Sequence, residues 1–419
     1  MNLLRSLRHR PFALLWSGQT ASRLGDSLYR LALAWWVLEK TGSAKAMGTV
    51  LVFSSIPMLI FLLVGGVVTD RFPRLRIMFI SDMLSGIVVT AVTLLAFTGR
   101  LEIWHIYIAS ILFGLVEAFF SPAYIATIPE ITPKEMLPSA NSLTSLSQPL
   151  TSILGPALAA SIIALGGTST AFGLDALSFF ISAACVLPIL RSHPELNLPP
   201  SATLTATALP DMPVRQGLRS IIADFQDGLK TVISSSWLWI TIAIFAFINV
   251  TGFSPMSVSL PFLVKVNLHA GVGTLGLFSS VRATGFVVGA VWLGSFIKIR
   301  KRGPFAYMAT VITGAAVAMF GLTTNIPVLI IAGFMGGMSI SVFGLIWTNS
   351  LQELVPREML GRVSSIDALG SFVLLPIGYG IAGWATDLIG APLVFVIGGA
   401  LTVILALLGL LHPAIRNLD

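Results

Sequence analysis

Four polar residues interrupt an otherwise apolar run near the start of the chain: Gln19, Arg23, Asp26 and Arg30, at spacings of four, three and four. On a helix that spacing lines them up on one face. Glu117 sits in the middle of a second apolar run and Arg282 in a third, while Gln148, Asn249 and Asn349 are single polar residues within three more. A carboxyl group in such surroundings can take up and release a proton, and an arginine can hold an anionic group. Asp26, flanked by Arg23 and Arg30, suits an ion-pair triad or a substrate-charge site better than a proton carrier. Glu117 has no basic residue within a turn, which suits proton coupling. For either acid the plainer alternative is an interhelical hydrogen bond. Asp82, Asp175 and Asp367 fall nearer helix ends, where snorkelling or capping accounts for them. Trp347 joins Trp16, Trp36, Phe113, Phe120, Trp237 and Tyr379 as aromatic candidates for lining a greasy cavity, each with lipid contact or packing as its other use.

Other chemistries find no support. The five histidines never pair at metal-ligand spacing, so no metal site is expected. The single cysteine, Cys185, excludes a disulfide framework. Gly271-Val-Gly273-Thr-Leu-Gly276 matches a dinucleotide fingerprint but opens an apolar helix with no strand before it. There is no Walker loop, which argues against ATP as the driving force, and no nucleophile–base constellation, which argues against an enzyme. No cofactor is expected.

The elements that position these residues follow from composition. Of 419 residues, 55% are hydrophobic and only 10% charged, against about 25% charged in a soluble protein. With a mean hydropathy of +0.90, the solvent is a bilayer and the fold class all-α integral membrane. About 20 apolar residues span the hydrocarbon, and twelve segments qualify, near 12–38, 46–69, 77–98, 104–128, 139–165, 171–190, 237–263, 274–297, 305–322, 327–350, 363–386 and 391–411. The first continues through Trp35, Trp36 and Val37, too long for a cleaved signal. With the N-terminus inside, the inner segments collect 18 of the 25 Lys and Arg residues and the outer loops only 4. This positive-inside bias predicts that both termini are cytoplasmic. It also accounts for the net charge of +7 without a nucleic-acid partner.

The chain divides into an N-terminal half (1–190), a polar linker (191–232) and a C-terminal half (233–419). In the linker, Leu218, Ile221, Ile222, Phe225 and Leu229 recur at helical spacing, which predicts an amphipathic helix on the inner leaflet. The halves repeat one another. Pro133-Lys-Glu-Met-Leu-Pro138 returns as Pro356-Arg-Glu-Met-Leu-Gly361, and the same offset of 223 carries Glu130 onto Glu353, Ser142 onto Ser365 and Gly155 onto Gly378. Two six-helix halves of the same topology are parallel repeats, an architecture that places a central cavity at the repeat interface and permits alternating access.

The loop after segment two reads Gly66-Val-Val-Thr-Asp70-Arg71-Phe-Pro-Arg74-Leu-Arg76. It resembles the signature of the major facilitator superfamily, with Pro73 where the family has glycine. Gly155-Pro156-Ala-Leu-Ala159-Ala160 is similar to the Gly-Pro motif of that superfamily's antiporters, with Thr151, Ala159 and Ala160 in place of family glycines. Ser121-Pro-Ala-Tyr-Ile-Ala-Thr-Ile-Pro129 and Glu358-Met-Leu-Gly-Arg362 resemble the exporter branch that contains macrolide efflux proteins and the enterobactin exporter. The resemblance implies a bacterial inner-membrane, multi-pass, monomeric transporter. Its cargo would be small amphipathic molecules, a macrolide, another drug or a siderophore, exported in exchange for protons. It also implies that the first, fourth, seventh and tenth helices line the cavity. Asp26, Glu117, Asn249 and Asn349 then fall on the right elements, with Arg23, Arg30, Gln148, Arg282 and Trp347 beside them. It implies, finally, that Gly66, Asp70, Arg71 and Arg74 form a latch to segment eleven. A different cargo class, a lysophospholipid flipped between leaflets or an imported nutrient, is the alternative. Three intramembrane arginines against two central carboxylates would suit a zwitterionic headgroup.

Overall fold

Water cannot satisfy backbone polar groups inside a bilayer, so each crossing must close its own hydrogen bonds, and helices do so. The computed structural model describes residues 3–192, 218–296 and 300–419, apart from the side chains of Leu3, Leu63, Asp70 and residues 218–224. No strand occurs among the described residues. Among them, ten helices are long and apolar enough to cross a membrane. Most of the expected linker, 193–217, lies outside the described residues, as does Lys298.

Local sequence sets the joints. Helix α1 (Arg10–Thr41) carries Pro11 in its first turn and ends at Gly42, whose φ of 63° lets its N–H reach Leu38 O. Ser43 then caps α2 (Ala44–Arg71), its hydroxyl accepting from Ala46 N at 3.3 Å. Pro73 ends the short extended link into α3 (Arg74–Phe97). Glu102 and His105 form a reciprocal capping box at the start of α4 (Ile103–Ile131). Segments five and six form one run, α5 (Leu137–Ser192), broken only at Gly167, where φ is 76°. At 32 residues α1 exceeds the length of a span, but its polar face keeps it out of the ten apolar ones.

The chain forms two compact units, Met1–Pro210 with Gly271–Gly276, and Asp211–Ala270 with Leu277–Asp419. In the first, α1 and α3 pack along α5, and α2 packs along α4. A Cβ on Gly65 would strike the carbonyl oxygen of Ala118, and one on Gly114 that of Ser54, so glycine sets how close α2 and α4 lie. Phe12, Leu15, Leu75, Met78, Ile128 and Val186 close the core at the end where α1 begins.

The second unit opens with α6 (Leu218–Ser234), the described part of the expected amphipathic helix. It does more than lie on a surface. Gly228 abuts Ile366 and Arg362, Val232 is buried, and Asp227 lies 3.9 Å from Arg362. Phe225, Leu229 and Ile233 remain as an exposed apolar stripe at four-residue spacing. Helix α7 (Ser236–Ile248) continues through a π turn at Asn249–Phe253, short helical pieces around Pro255 and Pro261, and a second π turn at Leu263–Asn267. Then come α8 (Val272–Gly294), α9 (Arg302–Leu322), α10 (Ile326–Leu354), α11 (Leu360–Phe372), α12 (Leu375–Ile389) and α13 (Ala391–Leu411). Helices α8 and α10 cross as α2 and α4 do. A Cβ on Gly337 would strike the carbonyl oxygen of Arg282, and one on Gly285 that of Phe334.

This packing predicts a contrast within one helix. Gly337→Ala forces α10 away from α8 and is expected to lower stability by about 1–3 kcal/mol. Gly344→Ala, with nothing within 4 Å of the added carbon, is expected to be neutral or to gain up to about 1 kcal/mol of helix propensity. Thermal unfolding of the detergent-purified variants measures both.

Candidate functional site

Small residues on α1 bring α5 against its polar face. A Cβ on Gly18 would lie 2.8 Å from Cys185 Cβ, and one on Gly25 would lie 2.6 Å from Asp175 Oδ1. The polar side chains of α1 therefore meet those of α3, α4 and the second arm of α5. Gln19 Nε2 donates to Ser182 Oγ at 2.7 Å, and Ser182 Oγ donates to Asp82 Oδ2 at 2.6 Å. Gln19 also reaches Asp82 directly at 3.4 Å. Asp82, 2% exposed, neither snorkels nor caps: it ends a buried chain of donors joining three helices.

One turn on, Arg23 places its guanidinium 5.0 Å over the Tyr124 ring, a cation–π contact of the kind that settles a cation among apolar helices. Arg30 Nε donates to the carbonyl oxygen of Asp26 at 3.2 Å. Asp26 is half-buried and lies within electrostatic reach of Arg23, Arg30, Asp82, Glu117 and Asp175. Glu117 on α4 is exposed and feels Asp26, Arg30 and Arg23. So the structure brings the charged face of α1 and Glu117 together, and adds Asp82 and Asp175. The sequence did carry a signal for one of these, Asp175. Asp175, Ser178 and Ser182 recur at spacings of three and four, as do Gly18, Ser22 and Gly25 on α1, and two such stripes fit one another.

Gly155 and Pro156 are buried on α5, where a Cβ on Gly155 would strike Ser27 of α1, and Ala159 and Ala160 are buried one turn on. Gln148 is exposed on the same helix. The loop signature shows a second kind of contact. Arg74, the first residue of α3, pairs with Glu130 at the end of α4 (3.5 Å) and donates to Ala126 O at 3.3 Å. In the second unit Arg302, the first residue of α9, pairs with Glu353 at the end of α10. Glu130 and Glu353 are the residues related by the 223-residue offset, so each half carries the same clasp between its third and fourth helices. Gly66 is half-buried, Arg71 is exposed, and Asp70 is the penultimate residue of α2.

In the second unit three helices meet at Asp367. Trp347 Nε1 on α10 donates to Asp367 Oδ2 at 2.9 Å, and Ser371 Oγ donates to Oδ1 at 3.3 Å. Asn249, at the first π turn, donates from Nδ2 to Ser371 O at 2.9 Å. Trp237 meets Trp347 edge-on at 5.5 Å. Asp367 thus has partners in the bundle rather than at a helix end. Arg282 is half-buried on α8 and Asn349 exposed on α10. Neither is joined to the Asp367 network by a described hydrogen bond.

A family profile described as transmembrane secretion effector matches residues 2–326, and one described as Major Facilitator Superfamily matches residues 242–416. Macrolide efflux protein A of Streptococcus pyogenes is 23% identical over 97% of both chains. Enterobactin exporter EntS of Citrobacter koseri is 25% identical over 95% of this chain and 94% of its own. Multidrug efflux pump Tap of Mycolicibacterium fortuitum is 24% identical over 99% of each. A crystal structure of a POT family transporter in complex with 5-aminolevulinic acid superposes with a TM-score of 0.73 over 96% of each chain, at 12% identity, and shares the fold. The chain belongs to the major facilitator superfamily, whose members are transporters and not enzymes. It is a multi-pass protein of the bacterial inner membrane.

The Asp367 junction generates its own test. Trp347→Phe keeps the ring contacts but removes the indole donor, with an expected loss of about 1–3 kcal/mol. Asp367→Asn retains an acceptor for the indole and should lose less. Thermal unfolding followed by tryptophan fluorescence separates the two.

Proposed function

We propose that this member of the major facilitator superfamily exports small amphipathic molecules by alternating access, driven by an inward flow of protons. The observation that carries the reading is the meeting of Glu117 on α4 with Asp26, Arg23 and Arg30 on α1. Such a group of acids and cations inside an apolar bundle is costly even when paired, and residues of this kind mark transport pathways. The efflux names of three full-length relatives support the direction of transport. Glu117 takes the proton-coupling role and Asp26 tunes it. Arg23, Arg30, Gln148, Asn249, Arg282, Asn349 and Trp347 contact the cargo. Gly66, Asp70, Arg71 and Arg74 form the latch between access states, and Gly155 and Pro156 set the α1–α5 contact. The working unit is a monomer of twelve crossings that uses no ATP.

Cells lacking their own drug pumps provide the test. Expression should lower the accumulation of erythromycin or ethidium, and a protonophore should restore it. Raised accumulation would turn the reading into import, and indifference to the protonophore would remove the proton. Glu117→Gln should reduce uphill export driven by a pH gradient by about tenfold, a typical coupling free energy, while downhill movement persists. Asp26→Asn should act mainly on folding or cargo recognition.

The topology has a separate check. Tags inserted at 200–205 and after Asp419 should both resist labelling from outside intact cells, and labelling of either would overturn the twelve-crossing arrangement.

A further inference from the structure

Asp175 has a carboxyl group that nothing in its surroundings serves. The residue is 1% exposed, and its Oδ2 has no hydrogen-bond partner among the described residues. Its Oδ1 lies 3.5 Å from Ser178 Oγ, but that hydroxyl has a single proton, already donated to the carbonyl oxygen of Asp175 at 2.8 Å. Beside it Tyr29, 8% exposed and within electrostatic reach of Asp175, has a hydroxyl with no described partner either. A bare carboxylate is expensive to bury, whereas the same group carrying a proton is itself a donor.

The titratable groups around the Asp175–Asp26 pair come from three helices. From α1, Asp175 faces Tyr29, Asp26 and Arg30, across the gap that Gly25 leaves. From α3 comes Asp82, which acts on Asp26. From α4 comes Glu117, which also acts on Asp26. Two arginines, Arg23 and Arg30, therefore face four carboxyl groups, and the cluster reaches neutrality when two of the four carry protons. Asp82 already accepts from Ser182 and Gln19, and Asp26 lies between the arginines. Glu117 and Asp175 are left.

Resting on the proton-antiport reading above, we propose that Asp175 is a second proton site of the N-terminal half, sealed behind α1, which exchanges with the open site at Glu117 through Asp26. In that exchange an O–H bond on Asp175 breaks and one on Asp26 forms. The negative charge moves from Asp26 to Asp175, and Arg30 faces both. Gly25 is what allows the carboxyl to approach α1, since a Cβ there would fall on Asp175 Oδ1 and Ser178. Tyr29, whose hydroxyl is likewise without a described partner, lies within electrostatic reach of the Asp175 proton.

The test joins a spectroscopic and a transport readout on the full chain in proteoliposomes. Infrared spectroscopy in light and heavy water should show an exchangeable, protonated-carboxyl band at neutral pH. The component from Asp175 should vanish in Asp175→Asn and persist in Glu117→Gln and Asp82→Asn. If Asp175→Asn does not fold, Tyr29→Phe should shift the frequency of the same band, and an unmoved band would overturn the proposal. Uphill movement of ethidium or erythromycin under an imposed pH gradient should be lost in Asp175→Asn, with downhill movement kept. A band unchanged in Asp175→Asn, or a lost band with uphill movement intact, overturns the second site and leaves antiport standing. A wild-type protein that moves both probes downhill but neither uphill overturns antiport and the exchange together.

Discussion

A charge in hydrocarbon must find its company within the protein. Helix α1 carries Arg23, Asp26 and Arg30 through the apolar bundle, and much of the first unit is arranged to receive them. Tyr124 offers its ring face to Arg23, and Asp26 faces Glu117 and Asp175 as well as its own two arginines. Gly18 and Gly25 bring the second arm of α5 within contact, so that Asp175 meets the charged face of α1. Larger residues would bury more apolar area, but lipid tails reward that burial no more than protein does. Close backbone approach is therefore worth more here than bulk, which explains glycines at the tightest crossings of both units.

The same economy appears at the helix ends. Arg74 with Glu130, and Arg302 with Glu353, fasten the third helix of each half to its fourth. Such partly exposed pairs contribute little stability individually. What they fix is orientation, since each joins the first residue of one helix to the last turn of another. Their recurrence at the repeat offset indicates that each half was built to hold its own geometry.

Much of this was legible in the sequence. Long apolar runs located the helices, because hydrocarbon thickness fixes their length. The i, i+4 spacing of Gln19 and Arg23 gave the polar face of α1. The offset that carries Glu130 onto Glu353 marks the halves as repeats, but it does not reveal the clasps with Arg74 and Arg302. The failures have one cause. Distance from a helix end, which assigns Asp82, Asp175 and Asp367 to snorkelling or capping, stands for exposure only when no other helix covers that level. Asp175 is covered because Gly25 lets α1 close over it, a fact of pairing between distant stretches of chain. The docking of α6 on α11 through Gly228 and Asp227 was hidden for the same reason.

The π turns of the seventh segment carry a different lesson, about kinship between the halves. A π turn accommodates one residue more than an α turn, so every side chain beyond it is rotated by about 100° relative to an uninterrupted helix. With one such turn at Asn249–Phe253 and another at Leu263–Asn267, the seventh helix falls out of step with the first twice along its length. A single offset that pairs Glu130 with Glu353 cannot pair residues of those two helices throughout. The duplication persists in the chain's path, while the side chains that the two helices present have been free to diverge into the separate vocabularies of charge on α1 and of amide and indole around Asn249.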